Sequence, residues 1–189
     1  MAPTSPMQSF IRQTMDSSAQ GRPITGAPVI VPVGERSAKA YDDCIAQFGV
    51  DHSYRYRATH DSTWCNIFVW DVTSAMQAEI PHWVTPELRP GKPGPDCREL
   101  TANQLQQHLD AGRWGWGKCG RDCAFNMAQA GHPAIAYWHN PDGHGHIAMV
   151  EPLPRDGLVE VAQAGSICGR HIPLANAFGG REVTFYWHA

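Results

Sequence analysis

The stretch from Asp61 to Thr73 most strongly limits the folds open to this chain. Asp61, Ser62 and Thr63 are residue types that favour helix N-caps, and apolar side chains follow at once. These side chains recur at helical spacing, at positions 68, 69, 72, 75 and 76. The pattern predicts a central, buried helix that carries Cys65 in its first turn.

Cys65 has two interpretations at this position. The free backbone N–H groups and the helix dipole at a helix start favour a thiolate, and the same N–H groups suit a developing oxyanion. A buried free cysteine is also commonly an inert residue that packs as a small hydrophobe. This stretch alone leaves both interpretations open.

Composition excludes several classes of protein. A chain of 189 residues suits one domain with a sizeable core. Its formal net charge of −3 and the lack of a basic run argue against nucleic-acid binding. The sequence holds no apolar run of transmembrane length. The N-terminus shows neither a basic nor an apolar signal region, so we expect a cytosolic protein or export without a cleaved signal.

The order of the other patterns predicts an α+β fold. Residues 1–34 are rich in Pro, Ser, Gly and Thr, which predicts a flexible arm ending in a strand-like segment at 29–33. Residues 35–189 form the predicted catalytic domain, with helices packed on a mostly antiparallel sheet. Besides the cysteine helix, we expect helices at 37–48, 101–112 and 121–130. A Thr101–Gln104 capping box opens the second of these. We expect strands at 133–139, 146–151, 158–163 and 182–187.

Six cysteines allow several arrangements. If Cys65 stays free, at most two disulfides can form among Cys44, Cys97, Cys119, Cys123 and Cys168. Cys119 and Cys123, with Cys97 nearby, are compatible with a disulfide, part of a zinc knot or unpaired thiols.

His146 is the best-placed base among the ten histidines. It opens a predicted strand directly after the glycine-rich turn 142–145, so it lies where a strand meets a packed helix end. Gln163 lies near the end of the next strand, where its amide can orient the imidazole. Taken alone, Gln163 fits better as an ordinary sheet residue whose amide bonds to solvent.

Three motifs in this order resemble the papain-like NlpC/P60 and CHAP cell-wall hydrolases. They are Thr63-Trp-Cys65-Asn-Ile-Phe-Val, Gly143-His-Gly-His146-Ile-Ala-Met-Val150 and Val161-Ala-Gln163-Ala-Gly165. The resemblance spans roughly residue 41 to the C-terminus and implies a papain-like fold. The Asp-Cys-Ser-Gly signature common in the family is absent.

The resemblance implies a thiol amidase or endopeptidase that cleaves an amide in peptidoglycan and needs no metal or cofactor. By position, Cys65 is the nucleophile, His146 the base and Gln163 the orienting residue, where family members more often have His, Asn or Glu. Glu160 is the alternative third residue, although it should face the other way along the strand.

Several aromatic residues are candidates for the oxyanion site or the substrate groove. Related enzymes use a tyrosine upstream of the nucleophile at the oxyanion, and Tyr56 is favoured over Tyr54. Trp64 adjoins the nucleophile. Trp114 and Trp116 belong to an aromatic, glycine-rich loop, which is either a wall of the groove or a surface loop whose tryptophans pack locally.

Three other functions fit parts of the sequence. His139, His144 and His146 include a His-x-His spacing that suits a zinc-dependent hydrolase, although no His-Glu-x-x-His motif is present. Seven tryptophans also suit a non-catalytic module that binds cell wall. Acyl transfer by the same cysteine is the third.

The expected partners follow from the resemblance. They are a peptidoglycan peptide as substrate, a cognate immunity protein and a component of a secretion machine. We expect action in the periplasm or cell wall of a bacterium, either as an effector of a contractile (type VI) secretion system or as a lysin released by lysis.

Overall fold

Five α-helices and eight β-strands occur in the described part of the chain. The computed structural model describes residues 26–60, 62–91, 94–155 and 157–189. The helices are α1 (Ala38–Ala46), α2 (Cys65–Ala75), α3 (Ala102–Asp110), α4 (Arg121–Gln129) and α5 (Leu174–Phe178). The strands are β1 (Trp83–Val84), β2 (Arg98–Glu99), β3 (Trp116–Cys119), β4 (Ala134–Trp138), β5 (His146–Val150), β6 (Glu160–Ala164), β7 (Cys168–Pro173) and β8 (Thr184–His188).

Six of these strands form one sheet in the order β3-β8-β4-β5-β6-β7. Every neighbouring pair in it is antiparallel. Strands β1 and β2 form a separate antiparallel pair. The α+β class with a mostly antiparallel sheet is therefore confirmed.

Helix α2 is the central element of the core. It packs against β5 and β6, and every residue from Ile67 to Ala75 is buried, including the polar residues Asp71, Thr73 and Ser74. The helix begins at Cys65, but its N-cap is Trp64 and not Ser62 or Thr63. The Trp64 N–H donates to the carbonyl of Ala164 on β6 at 3.2 Å, so the chain stays non-helical up to that residue.

The predicted helices at 37–48, 101–112 and 121–130 correspond to α1, α3 and α4. Ser37 caps α1 by accepting a hydrogen bond from the Ala40 N–H, and the predicted capping box opens α3. None of the described helices is long and apolar enough to cross a membrane.

The described end of the N-terminal arm, residues 26–34, runs along α1 and α2. The Val29 N–H donates to the Gln47 side chain at 2.7 Å, and the Val31 N–H donates to the Ala75 carbonyl at 2.9 Å. The strand predicted at 29–33 does not form, because these groups bond to helical residues instead of a strand. The rest of the predicted arm, 1–25, lies outside the described residues.

The region predicted as an aromatic loop contains a strand. Gly112 and Trp114 both take left-handed backbone angles, with φ of 62° at each. The chain then enters β3, which pairs with β8 at one edge of the sheet. Together with Gly115, which has a φ of 81°, these residues make the turn that brings Trp116 into this edge strand.

Candidate active site

Cys65 lies at the junction of α2 with the sheet. As the first residue of α2 it is 4% exposed, and the preceding residue is bonded to β6. Its thiol is within hydrogen-bonding reach of the Ile147 backbone on β5. The chain therefore brings Cys65 next to the residue that follows His146.

The environment keeps the Cys65 thiol protonated at rest. Burial raises the pKa of Cys65, while hydrogen bonds from the backbone of Ile147, Asn66 and Cys65 and from the Thr63 side chain oppose that rise. The net shift is upward, so deprotonation requires a base. The opposing N–H groups are nonetheless the donors that a thiolate or an oxyanion would use.

His146 and Gln163 form a direct side-chain pair. Nε2 of His146 lies 2.6 Å from Oε1 of Gln163, and Nε2 of Gln163 donates to the Ile167 carbonyl at 3.0 Å. Because the amide nitrogen is engaged by Ile167, the amide oxygen faces the imidazole and accepts its Nε2–H. A neutral His146 then carries its proton on Nε2 and leaves Nδ1 as the basic nitrogen.

The surroundings of His146 favour its neutral form. Burial lowers the pKa of His146 most, and the charge of Arg181 lowers it further, whereas the hydrogen bond to Gln163 raises it. The imidazole ring also packs against Phe178, with ring centroids 5.0 Å apart. A neutral imidazole is the form that can act as a general base.

Gln163→Glu should move the acid limb of the pH–rate profile to higher pH. The wild-type limb is expected below the ordinary histidine value of about 6.5, because the pKa of His146 is lowered. A carboxylate 2.6 Å from Nε2 would stabilise the imidazolium, so the base would be lost at a pH about one unit higher. The measurement is kcat/KM for hydrolysis from pH 4 to 9.

The control for this change is Gln107→Glu, which makes the same substitution at an exposed position on α3. Its profile should overlay that of the wild type. An unshifted limb in Gln163→Glu would show that His146 is not the group that titrates.

No hydrogen bond joins Cys65 to His146 among the described residues. The two side chains are held on elements that pack together, α2 and β5. In unliganded enzymes the contact between nucleophile and base is often long and tightens only when substrate binds. The arrangement places a thiol, an oriented imidazole and helix-start N–H groups in one region.

A cleft of about 650 Å³ opens over Cys65 and is lined on one side by His144 and Gly145, directly before His146. Trp64 also lines the cleft, and Cys65 is accessible from it although the residue is buried. Most of its other lining residues belong to three segments that meet only in the folded chain: 58–60, 99–102 and 144–145. The volume is that of a small-molecule or short-peptide site.

Neither a protein-family model nor a curated protein matches the chain.

Asn103 fixes the loop that leads into His146, a role that no sequence motif indicates. Its Nδ2 donates to the carbonyls of Asn140 and Gly143 at 2.8 and 2.6 Å, and its Oδ1 accepts from the Asn140 N–H at 3.2 Å. A Cβ on Gly145 would meet the Asn103 amide oxygen and lie 2.7 Å from the Trp138 carbonyl, so the loop passes too close for a larger residue.

Of the four aromatic residues predicted for the oxyanion site or the substrate groove, Trp64 is the one that lines the cleft. Trp64 lines the cleft and donates its indole N–H to the Arg57 carbonyl at 3.0 Å. Tyr56 does not line the cleft: it is fully buried, and its hydroxyl donates to Asp71 at 2.5 Å. The upstream residue whose side chain reaches the Cys65 thiol is instead Thr63.

Trp114 and Trp116 do not line the cleft either. Trp116 is 1% exposed and its indole N–H donates to the Glu79 carbonyl at 3.4 Å. Trp114 lies in the turn before β3 and packs against the core. Strand β3 is at one edge of the sheet, and three strands separate it from β6, so the structure favours the local-packing alternative for both residues.

The three histidines of the zinc alternative do not form a metal-binding group in the described chain. His146 contacts Gln163, the His139 ring lies 3.5 Å from the Tyr137 hydroxyl, and His144 is at the cleft surface. The one group of described side chains with suitable spacing is Asp42, Glu151 and His171. There the Arg170 guanidinium donates to both carboxylates, so a cation already neutralises them.

All six cysteines are free thiols. Burial, and after it the neighbouring Cys123 thiol, raise the pKa of Cys119 to about 12. Cys44 is buried on α1, where burial raises its pKa to about 12. Glu160, the alternative third residue, accepts from the His171 ring at 2.9 Å and so faces away from His146.

Proposed function

We propose that the chain is a cysteine hydrolase that cleaves an amide bond in the peptide part of bacterial peptidoglycan. The observation that carries the proposal is the His146–Gln163 pair, 2.6 Å apart, on the strands that flank the start of the Cys65 helix. An oriented imidazole beside a helix-start thiol is the arrangement that thiol acyl chemistry requires. The three motifs that resemble NlpC/P60 and CHAP hydrolases contain these same residues.

The proposed reaction proceeds through a thioester. Nδ1 of His146 takes the Cys65 proton, and the sulfur attacks the amide carbon. The oxyanion is stabilised by N–H groups at the start of α2, which also lower the pKa of the Cys65 thiol. The imidazolium then protonates the leaving amine. Finally, His146 takes a proton from water, which hydrolyses the thioester and releases the carboxylic acid and free thiol.

The papain-like core is part of the same proposal. In this chain the nucleophile begins a buried helix, the base opens β5 and the orienting amide lies on the neighbouring β6. The order of these residues along the chain is that of the resemblance. The antiparallel pairing of β5 with β6 supports the comparison, because it sets Gln163 beside His146.

The test of the proposal is a digest of purified peptidoglycan. Wild type, Cys65→Ala and His146→Ala would be incubated with sacculi, with and without a chelator, and the released fragments read by mass spectrometry. We expect fragments from the wild type that survive the chelator and vanish in both variants, and their masses would name the bond. Fragments that persist in Cys65→Ala but vanish with chelator would overturn the thiol mechanism in favour of a metal.

The proposed site of action is the periplasm, because peptidoglycan lies outside the cytoplasmic membrane. We expect the protein to act as an antibacterial effector or a lysin, with a cognate immunity protein that blocks the Cys65 cleft in the effector case. Expression with a cleavable export signal should lyse a Gram-negative host, and cytosolic expression should not. The measurement is culture density and viable count.

The control for that prediction is exported Cys65→Ala, which should leave growth normal. Equal toxicity in both compartments would contradict a wall substrate.

A further inference from the structure

Glu99 is a charged side chain with an unusual position in the cleft. It is the only Asp, Glu, Lys or Arg among the described side chains that line the cleft over Cys65. Its side chain is 23% exposed, so most of its hydration is lost. A partly desolvated carboxylate requires hydrogen-bond donors or a counter-charge.

The protein itself supplies only part of that requirement. Nε2 of His82 lies 3.1 Å from Oε1 of Glu99, and His82 is fully buried. This contact is not aligned as a hydrogen bond, since neither ring nitrogen of His82 has a hydrogen-bond partner within the described chain. An ionised carboxylate can accept about four hydrogen bonds. Within the described residues no donor fills any of these positions on Glu99, which leaves acceptor capacity on a carboxylate that lines the cleft.

The position of Glu99 is fixed relative to the nucleophile. Strand β2 pairs with β1, and the next residue, Leu100, donates its N–H to the His82 carbonyl at 2.8 Å. The Leu100 carbonyl accepts from the side chain of Asn66 at 3.2 Å. Asn66 directly follows Cys65, so one side-chain hydrogen bond ties the backbone beside Glu99 to the start of α2. His82 is also held, between the rings of Trp70 and Trp83 with centroids 5.1 and 5.8 Å away.

We infer that Glu99, supported by His82, is a specificity-determining residue that binds a primary ammonium group of the ligand in the Cys65 cleft. This inference rests on the proposed function for the identity of the ligand, a stem peptide with a free amine. A peptide of this type offers two such groups: the N-terminal amine and the side-chain amine of its diamino acid. A free side-chain amine distinguishes an uncross-linked stem peptide from one whose amine is acylated by a cross-link.

The test uses binding, so that it does not depend on turnover. Full-length Cys65→Ala would be titrated by calorimetry with an L-alanyl-D-glutamyl-diamino acid tripeptide and with three derivatives, acetylated at the N-terminal amine, at the side-chain amine or at both. We expect the doubly acetylated peptide to bind about 10- to 100-fold more weakly than the free one, the range for loss of a charge-assisted hydrogen bond. The two singly acetylated peptides would show which amine is bound.

A protein variant tests the same contact from the other side. In the Cys65→Ala background, Glu99→Gln keeps the shape and removes the charge, so the free and acetylated peptides should bind about equally. The matched control is Glu35→Gln at an exposed glutamate outside the cleft, which should keep the full preference. The acetylated peptides leave the protein unaltered, so the result does not depend on the folding of Glu99→Gln.

The outcomes separate this inference from the proposed function. Equal affinity for free and acetylated peptides, no binding of any of them, or a preference that survives Glu99→Gln would overturn the ammonium site. If the wild type cleaves free and acetylated peptides with equal kcat/KM, the result supports the hydrolase proposal and contradicts the ammonium site at Glu99. If the preference is observed but no bond is cut, the site stands and the hydrolase proposal falls.

Discussion

Cys65→Ala should reduce amide hydrolysis by about 10⁴-fold or more, since removing the nucleophile leaves only binding and oxyanion contacts. No other thiol lines the cleft among the described residues, so none can take over the attack. His146→Ala should cost about 10²- to 10⁴-fold through loss of the base. The measurement is kcat/KM on a soluble peptide released from the wall.

Cys44→Ala is the matched control. Cys44 is also a buried free thiol, but it lies on α1 outside the cleft and contacts the Val72 carbonyl at 3.8 Å. Its replacement should keep kcat/KM within a few-fold of the wild type, and thiol-alkylating reagents should inactivate both the wild type and Cys44→Ala. More than a tenth of wild-type activity in Cys65→Ala would contradict covalent catalysis by this residue.

Asp71→Ala should lower the free energy of unfolding by about 3–5 kcal/mol, the usual cost of removing one partner from a buried ion pair. Asp71 is fully buried in the middle of α2. It accepts from Arg55 Nε at 2.6 Å, from Arg55 Nη2 at 3.0 Å and from the Tyr56 hydroxyl at 2.5 Å. Burial alone would lower the pKa of Arg55, but the Asp71 charge and hydrogen bonds raise it overall. A guanidinium is not deprotonated in proteins, so Asp71→Ala leaves a buried positive charge without this carboxylate.

The effect can be read as a lower midpoint of urea unfolding and a melting temperature lower by roughly 10 °C. Asp43→Ala is the control, because Asp43 pairs with Lys39 on the exposed face of α1, where the two side chains are 59% and 75% exposed. An exposed pair of this kind contributes about 0–1 kcal/mol. A loss for Asp71→Ala no larger than that for Asp43→Ala would contradict the assigned role. Because Arg55 and Tyr56 precede the segment 58–60 of the cleft wall, activity should also fall in Asp71→Ala.

Local patterns predicted four of the five described helices, all but α5, and four of the six strands of the main sheet. Apolar spacing, the Ser37 cap and the Thr101–Gln104 capping box are short-range features, so α1, α2, α3 and α4 were predictable to within a few residues. Strands β4, β5, β6 and β8 also correspond to predicted strands. The exact start of α2 was not predictable, because the Trp64 N–H donates to the carbonyl of Ala164 on β6, which is distant in sequence.

Strands β3 and β7 of the main sheet were not predicted. β3 lies in a Trp- and Gly-rich stretch, and β7 contains Gly169 and Pro173, so neither shows the alternation that identifies a strand. Both form at the edges of the sheet, where pairing with β8 and β6 supplies the hydrogen bonds that the local sequence does not favour. Trp116 of β3 and Trp114 of the turn before it were candidates for the groove wall because a local pattern does not show whether a tryptophan is buried.

The sequence by itself determined a buried helix headed by Cys65, a strand opened by His146 and a later strand bearing Gln163, because periodicity, caps and turns act over a few residues. Only the tertiary structure decided what these residues contact. The Gln163 amide faces His146, the Tyr56 hydroxyl donates to Asp71, and Glu99 lines the cleft in contact with the buried His82. Each of these contacts joins residues at least fifteen positions apart, so it depends on how helices and strands pack together, which no local pattern specifies.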